Sequence, residues 1–200
     1  MKEKYINDNT LKILGLFLDD YKKFIHIREI ARKIKADTKT TSSYIKKLEN
    51  LRIVNTKIIG KHKEVYLNTS NSLTPYFLIL SEVYRCINFL KKNFKIKRIV
   101  EKVANEGYSL IIFGSYAKGI ANEESDLDLI LIDGKISEDK IEEIEESYGI
   151  KISPYTISKK QFVNMQRKKD SFFREILGSH VIIKGFGFFV LSTWKYYYGL

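Results

Sequence analysis

Residues 108–132 read YSLIIFGSYAKGIANEESDLDLILI. The apolar run Ser109–Phe113 predicts a strand, Gly114-Ser115 a sharp turn into a short helical piece, and Leu127–Ile132 a second strand after a polar turn. Gly114 lets the backbone bend tightly and come close to a ligand. Ser115 and the amides after it stand at a helix start, where N–H donors and the peptide dipole favour an anion such as phosphate. Lys118, one helical turn on, can bring a cation to the same anion. Asp126 and Asp128 lie two apart along a strand, so their side chains leave the same face while Leu127 and Leu129 point into the core.

Two such carboxylates, ~6–7 Å apart at the backbone, repel one another unless something neutralises them. A pair of divalent metal ions bridging carboxylates and a triphosphate does so in phosphoryl and nucleotidyl transfer. Oxygen donors beside phosphate favour Mg²⁺, with Mn²⁺ as substitute. Gly-Ser, ten residues, then Asp-Leu-Asp between two hydrophobic strands resembles the signature of the DNA polymerase β nucleotidyltransferase superfamily. The fuller string GSYAKG…SDLDL is similar to the minimal nucleotidyltransferases of bacteria and archaea. The likeness covers residues 107–157 well and the rest loosely. It implies catalytic and metal-binding roles for Asp126 and Asp128, and nucleotide-binding roles for Gly114, Ser115 and Lys118, with ATP or another nucleoside triphosphate as ligand. It also implies a third carboxylate on the next strand, near Ser153, where KISPYTIS (151–158) carries no acid. Asp133 is expected at the opposite end of the sheet, and Glu142, Glu143, Glu145 and Glu146 on a solvated helix face.

Toward the N-terminus the pattern changes. Leu11, Leu14, Leu18 and Tyr21 predict an amphipathic helix over about 9–21; Ile27, Ile30, Ala31 and Ile34 predict a second over 27–35. Asp37 or Thr38 can cap a third running to about Asn50. Residues 53–59 and 64–67 then read as strands, with GKHK (60–63) as their turn. Three helices and a basic-tipped hairpin resemble winged helix-turn-helix transcription regulators of archaea and bacteria over residues 8–70. The resemblance implies a recognition helix presenting Lys39, Thr40, Ser42, Ser43, Lys46 and Lys47 to double-stranded DNA, and Lys61, His62 and Lys63 at the wing tip. His62 is expected to be a polar turn residue. A docking or dimerisation module is the rival reading.

The polar stretch 68–75 reads as a domain boundary. The expected organisation is a winged-helix domain (1–70), a helical connection (71–106, with a broad apolar stripe over 76–92) and a nucleotidyltransferase-fold domain (107–200). This is a two-domain α+β protein whose second domain is a small mixed sheet with flanking helices. Residues 158–177 suit a helix pair with Arg167, Lys168 and Lys169 in a solvated turn, and His180 an ordinary strand end. The aromatic tail from Gly185 is expected at a subunit interface or against the 76–92 helix.

The charge is lopsided. Residues 1–75 hold 16 Lys and Arg against 8 Asp and Glu, whereas residues 76–200 hold 19 against 16, which places the surplus where a phosphate backbone would be met. No apolar run reaches the ~18 residues of a membrane span and no leader is seen, so a cytoplasmic location is expected. The single Cys86 reads as a buried, reduced thiol. Two functions follow, of different class. One is a homodimeric DNA-binding regulator that binds nucleotide and metal with weak or absent catalysis. The other is an active enzyme moving a nucleoside monophosphate from a triphosphate to a protein or other hydroxyl acceptor, as in related antitoxins.

Overall fold

A computed structural model describes residues 6–60, 62–168 and 170–198. Two compact units are present, one of residues 1–81 with 197–200 and one of residues 82–196. Helix α4 (Thr74–Lys92) carries the chain from the first into the second.

The first unit contains α1 (Asp8–Gly15), β1 (Ile25–His26), α2 (Ile27–Ile34), α3 (Thr38–Asn50), β2 (Val54–Ile59) and β3 (His62–Leu67), with an antiparallel sheet ordered β1-β3-β2. Helix α1 stops well short of the expected Tyr21. Gly15 weakens the helix, and Asp19 and Asp20 would put anions at the negative end of its dipole. Phe17, Leu18 and Tyr21 are buried all the same, on turns instead of a helix. Asp37 caps α3, its carboxylate accepting from Thr40 N at 2.8 Å, and Ile45 and Leu48 bury the inner face. The hairpin turn is tighter than expected: Ile59 pairs with His62, and Gly60 takes a left-handed φ of 59°. His62 is therefore a strand residue, not a turn residue, and its ring meets His26 edge-on at 4.8 Å. Lys61 lies outside the described residues.

In the second unit, α5 (Phe94–Val103), β4 (Gly107–Ile112), α6 (Gly114–Lys118), β5 (Leu127–Gly134), α7 (Glu138–Tyr148), β6 (Ile152–Ile157), α8 (Lys159–Arg167), α9 (Ser171–Gly178), β7 (Val181–Lys184) and α10 (Phe186–Tyr198) follow in order. The mixed sheet runs β6-β5-β4-β7; β5 and β6 are parallel and the other pairs antiparallel. Alternation sends Leu110, Ile112, Leu127, Leu129 and Leu131 into one core with Ile96, Ile99, Val100 and Ile144. Ile111, Ile130, Ile132 and Ile182 are buried too, and alternation turns them to the other face, where α8 packs on β5. At ~1.5–3 kcal/mol per fully buried aliphatic side chain, these faces decide the strand register. β6 is an edge strand. Leu127 N donates to Lys151 O at 2.7 Å, so by alternation Ile152 and Pro154 turn their backbone outward. Ile152 N donates to Glu145 Oε1 at 2.7 Å, which makes Glu145 a half-buried cap and not part of a solvated face.

The aromatic tail is helix α10, and within the second unit Phe189 and Phe188 lie 5.7 and 5.6 Å from Phe162, and Tyr196 lies 5.6 Å from Phe173. One further expectation is corrected: His180 is not an ordinary strand end. It is 1% exposed, with Nε2 2.9 Å from Glu82 Oε1 and Nδ1 3.1 and 3.2 Å from the carbonyls of Ile176 and Leu177. Arg85 donates to both Glu82 Oε1 and His180 O at 3.0 Å. The carboxylate stands far away in sequence, on α4. Cys86 is buried on the same helix, its thiol pushed up to about 11 by burial and then by Glu82. Among the described residues no helix is long and apolar enough to cross a membrane.

Removing one partner of a buried hydrogen-bonded pair leaves the other unsatisfied, typically at a cost of about 1–3 kcal/mol, whereas replacing both with apolar groups of similar shape is often tolerated. His180→Leu is expected to lower the thermal midpoint markedly, and Glu82→Leu/His180→Leu to recover much of the loss. Equal losses in the single and double variants, read by thermal melts, would contradict this account.

Candidate functional site

The Gly-Ser turn and the acid pair meet at one end of the β4–β5 ladder. Phe113 N donates to Asp128 O at 3.1 Å, which carries the antiparallel pairing one step past β4. Gly114 then turns with φ 67°. A Cβ built on Gly114 would stand 2.1 Å from Asp128 Oδ2. The carboxylate thus occupies the space a side chain would need, and glycine alone permits the approach. Helix α6 is closed by Gly119 at φ 71°. Its exit leads through a turn in which Asn122 N donates to Ser125 Oγ at 2.9 Å and Ser125 N to Asn122 O at 3.1 Å. That turn delivers Asp126 to the start of β5.

The electrostatics are those of an under-neutralised anionic site. Burial first, then the charges of Asp126 and Glu175, hold the Asp128 carboxyl above the usual carboxylate range; Lys118 pulls the other way. Burial, then Asp126, also raises the Tyr116 hydroxyl. Lys118 Nζ lies 3.6 Å from Glu175 Oε1 on α9, both side chains being near half exposed. Such a pair is weak, so Lys118 can exchange Glu175 for a stronger anion. Among the described residues no three His, Cys, Asp or Glu side chains cluster closely enough to hold a metal ion. Asp126 and Asp128 can supply two hard oxygen donors, and the remaining positions around a Mg²⁺ or Mn²⁺ ion would fall to phosphate oxygens and water.

The parallel register pairs Asp128 with Ser153 and Leu129 with Pro154. The strand position beside the acid pair therefore carries a hydroxyl, not a carboxylate. Asp133, with φ 49°, lies at the far end of β5, where it accepts from Lys159 N at 3.1 Å. Arg167 and Lys168 are exposed; Lys169 lies outside the described residues. Glu175 and Tyr155, which sequence reading did not single out, border the same site. Glu175 sits on a separate helix far along the chain, and no local spacing marks it.

In the first unit, Lys39, Ser43 and Lys46 are exposed on α3 and Lys47 is half-buried with its ammonium 5.8 Å from the Tyr44 ring centroid. Thr40 and Ser42 are committed to their own helix: Thr40 Oγ1 donates to Asp37 Oδ2 at 2.6 Å and Ser42 Oγ to Thr38 O at 2.7 Å. Lys63 pairs with Glu49 at 3.5 Å. Thr40, Ser42 and Lys63 therefore already have hydrogen-bond or ion-pair partners within the unit.

A small mixed sheet flanked by helices, with a Gly-Ser turn set against an Asp-Leu-Asp strand, fits the nucleotidyltransferase fold. The family described as Polymerase beta, Nucleotidyltransferase matches residues 85–185, half of the chain, and the chain belongs to that family. No curated protein and no solved structure matches it.

The raised Asp128 carboxyl sets the sign of one pH effect. Folding disfavours its ionised form, so stability is lost as pH rises from the ordinary Asp range through the raised value, and the penalty persists above it. Without divalent metal, Asp128→Asn is expected to raise the thermal midpoint at neutral pH, the gain vanishing below the ordinary Asp range. A gain that grows on acidification would refute the assignment.

Proposed function

We propose that this protein is a DNA-binding regulator whose nucleotidyltransferase unit binds a nucleoside triphosphate with Mg²⁺ or Mn²⁺. The observation that carries the nucleotide half is the contact between Gly114 and the Asp128 carboxylate. It brings a turn of backbone donors against an acid pair whose mutual repulsion a divalent cation would relieve. Asp126 and Asp128 would hold the metal, with Gly114, Ser115 and Lys118 at the phosphates. When bound, the metal supplies charge neutralisation and Lewis acidity at a phosphoryl oxygen. Asp128, raised by burial and Asp126, gains most from it. Ser153 at the register position beside Asp128 argues for slow or absent chemistry, because a hydroxyl neither neutralises a second metal nor takes a proton at neutral pH.

The regulatory half rests on the first unit, read as a winged helix-turn-helix domain of about residues 1–70, followed by helical segments to 106 and the nucleotidyltransferase fold beyond. The capped helix α3 exposes Lys39, Ser43 and Lys46, and the β2–β3 hairpin supplies a wing with Lys63 and His62 near its tip. The basic excess of residues 1–75 supports a phosphate backbone as partner, and winged helices of this kind commonly pair as homodimers on double half-sites. A bound nucleotide would then act by favouring one geometry of the paired DNA-binding units.

The second reading is an enzyme that moves a nucleoside monophosphate to a protein or other hydroxyl acceptor. Family membership favours it, and Glu175 keeps a third carboxylate within the electrostatic reach of Asp128.

With Mg²⁺ or Mn²⁺, radiolabelled ATP is expected to bind the protein, and Asp128→Ala to weaken binding at least the roughly tenfold typical of disturbed metal shells. Metal-independent binding that survives Asp128→Ala would exclude this site. Transfer of label to a protein or extract component, lost in Asp128→Ala, would decide for the enzyme. For the DNA half, Lys39→Ala and Lys46→Ala should each weaken duplex binding across all sequences and reduce the slope of log affinity against log salt by about one per lost phosphate contact. Duplex binding insensitive to both, measured by fluorescence anisotropy, would favour a docking module.

A further inference from the structure

The sheet face that carries Asp128 also carries Phe113 and Tyr155, and Phe172 of α9 packs against both rings. Phe113, directly before the Gly114 turn, is 4% exposed, whereas Tyr155 on β6 is 45% exposed. The Phe113 and Tyr155 centroids are 5.5 Å apart with the rings at 69°, Phe113 and Phe172 are 5.4 Å apart at 80°, and Tyr155 and Phe172 are 5.4 Å apart at 48°. Neither phenylalanine stacks flat on Tyr155. They brace it at angle and leave π surface open to solvent.

Its place relative to the acid pair follows from register. Asp128 pairs with Ser153 and Ile130 with Tyr155, so Tyr155 and Asp128 share a face of the sheet. One strand across and two residues along, their backbones are about 8 Å apart. Helix α9 frames the same wall: Phe172 meets the ring cluster, and Glu175, three residues later and so on the same helical face, meets Lys118 of α6 at 3.6 Å. Two aspartates, the Gly-Ser turn, a lysine and an open aromatic face therefore border one space. A mononucleotide presents the complementary set, a polyanion at one end and a planar π system a short span away. A half-exposed aromatic ring beside a charged site offers a planar group an apolar face on which to stack.

We propose that Tyr155, braced by Phe113 and Phe172, stacks on the base of a nucleotide whose phosphates lie at the Gly114–Ser115 turn. This rests on the nucleotide-binding reading above and adds the base subsite to it. Stacking accepts any base because each has a π face, and larger rings bury more. The site therefore prefers purines without reading their edges through Tyr155.

The test is calorimetry on the full chain with Mg²⁺, titrating inorganic tripolyphosphate, ATP, GTP, CTP and UTP into the wild type and into Tyr155→Phe and Tyr155→Leu, with thermal melts to verify folding. Tripolyphosphate reports the phosphate and metal site alone; the added affinity of each nucleotide reports the base. The wild type is expected to bind ATP and GTP more tightly than CTP, UTP or tripolyphosphate. Tyr155→Phe should retain this, and Tyr155→Leu should lose roughly tenfold for purines with tripolyphosphate affinity unchanged. Equal loss for tripolyphosphate and ATP in Tyr155→Leu would make the ring a structural prop and overturn the proposal. Wild-type binding of ATP no tighter than tripolyphosphate, or a purine increment that survives Tyr155→Leu, would also overturn it while leaving the phosphate site intact. No binding of tripolyphosphate or any nucleotide would overturn the underlying reading and the proposal with it.

Discussion

The carboxylate of Asp128 fills the place where Gly114 has no side chain, and the arrangement of the second unit follows from that one approach. It requires β4 and β5 to run antiparallel in a register that brings the end of one strand against the beginning of the other. That register is held by alternating buried leucines and isoleucines on two faces, Leu127, Leu129 and Leu131 on one and Ile130 and Ile132 on the other. A slip by one residue would turn Asp128 into the leucine core. Hydrophobic patterning thus sets the electrostatics: the core decides which carboxylates stand together, and burial then raises the Asp128 carboxyl.

The positions facing one another across the site come from four elements with different constraints. β5 carries the acids because a strand projects alternate residues to one face. α6 carries Ser115 and Lys118 because a left-handed glycine lets a helix begin abruptly. β6 contributes Ser153 and Tyr155, and α9 contributes Phe172 and Glu175. A site assembled this way has a charged half and an aromatic half, and Phe113 next to Gly114 belongs to both. The Lys118–Glu175 pair in the charged half is weak, which leaves that cation available to a multivalent anion.

How much of this was legible in the sequence depended on distance along the chain. Gly114, Ser115, Asp126 and Asp128 fall within fifteen residues, and their spacing between two apolar strands was enough to suggest the turn, the strands and the family. The place of Ser153 was also accessible, because β6 directly follows the helix after β5. Tyr155, Phe172 and Glu175 were not marked by any local pattern, since their partners lie on other elements. His180 looked ordinary for the same reason: its carboxylate, Glu82, sits on a helix from the other side of the unit's sequence. The α10 aromatics predict burial, at a subunit interface or against the 76–92 helix, but an apolar segment does not name the surface that covers it, and their contacts with Phe162 and Phe173 have no local mark. In the first unit, apolar spacing continues through Leu18 and Tyr21 and predicts a longer α1, whereas Gly15 and the aspartates after it end the helix.

The outer border of β6 has a consequence for how copies of this protein behave in concentrated solution. Ile152 has its amide taken by Glu145, and Pro154 has none to offer. The first two outward-facing donor positions on that border are thereby closed to an incoming chain. Recruitment of a neighbouring backbone, the route by which open sheets grow into fibrils, is denied its starting points there. The protein can keep a short, partly aromatic border strand without that strand becoming a seed for polymerisation.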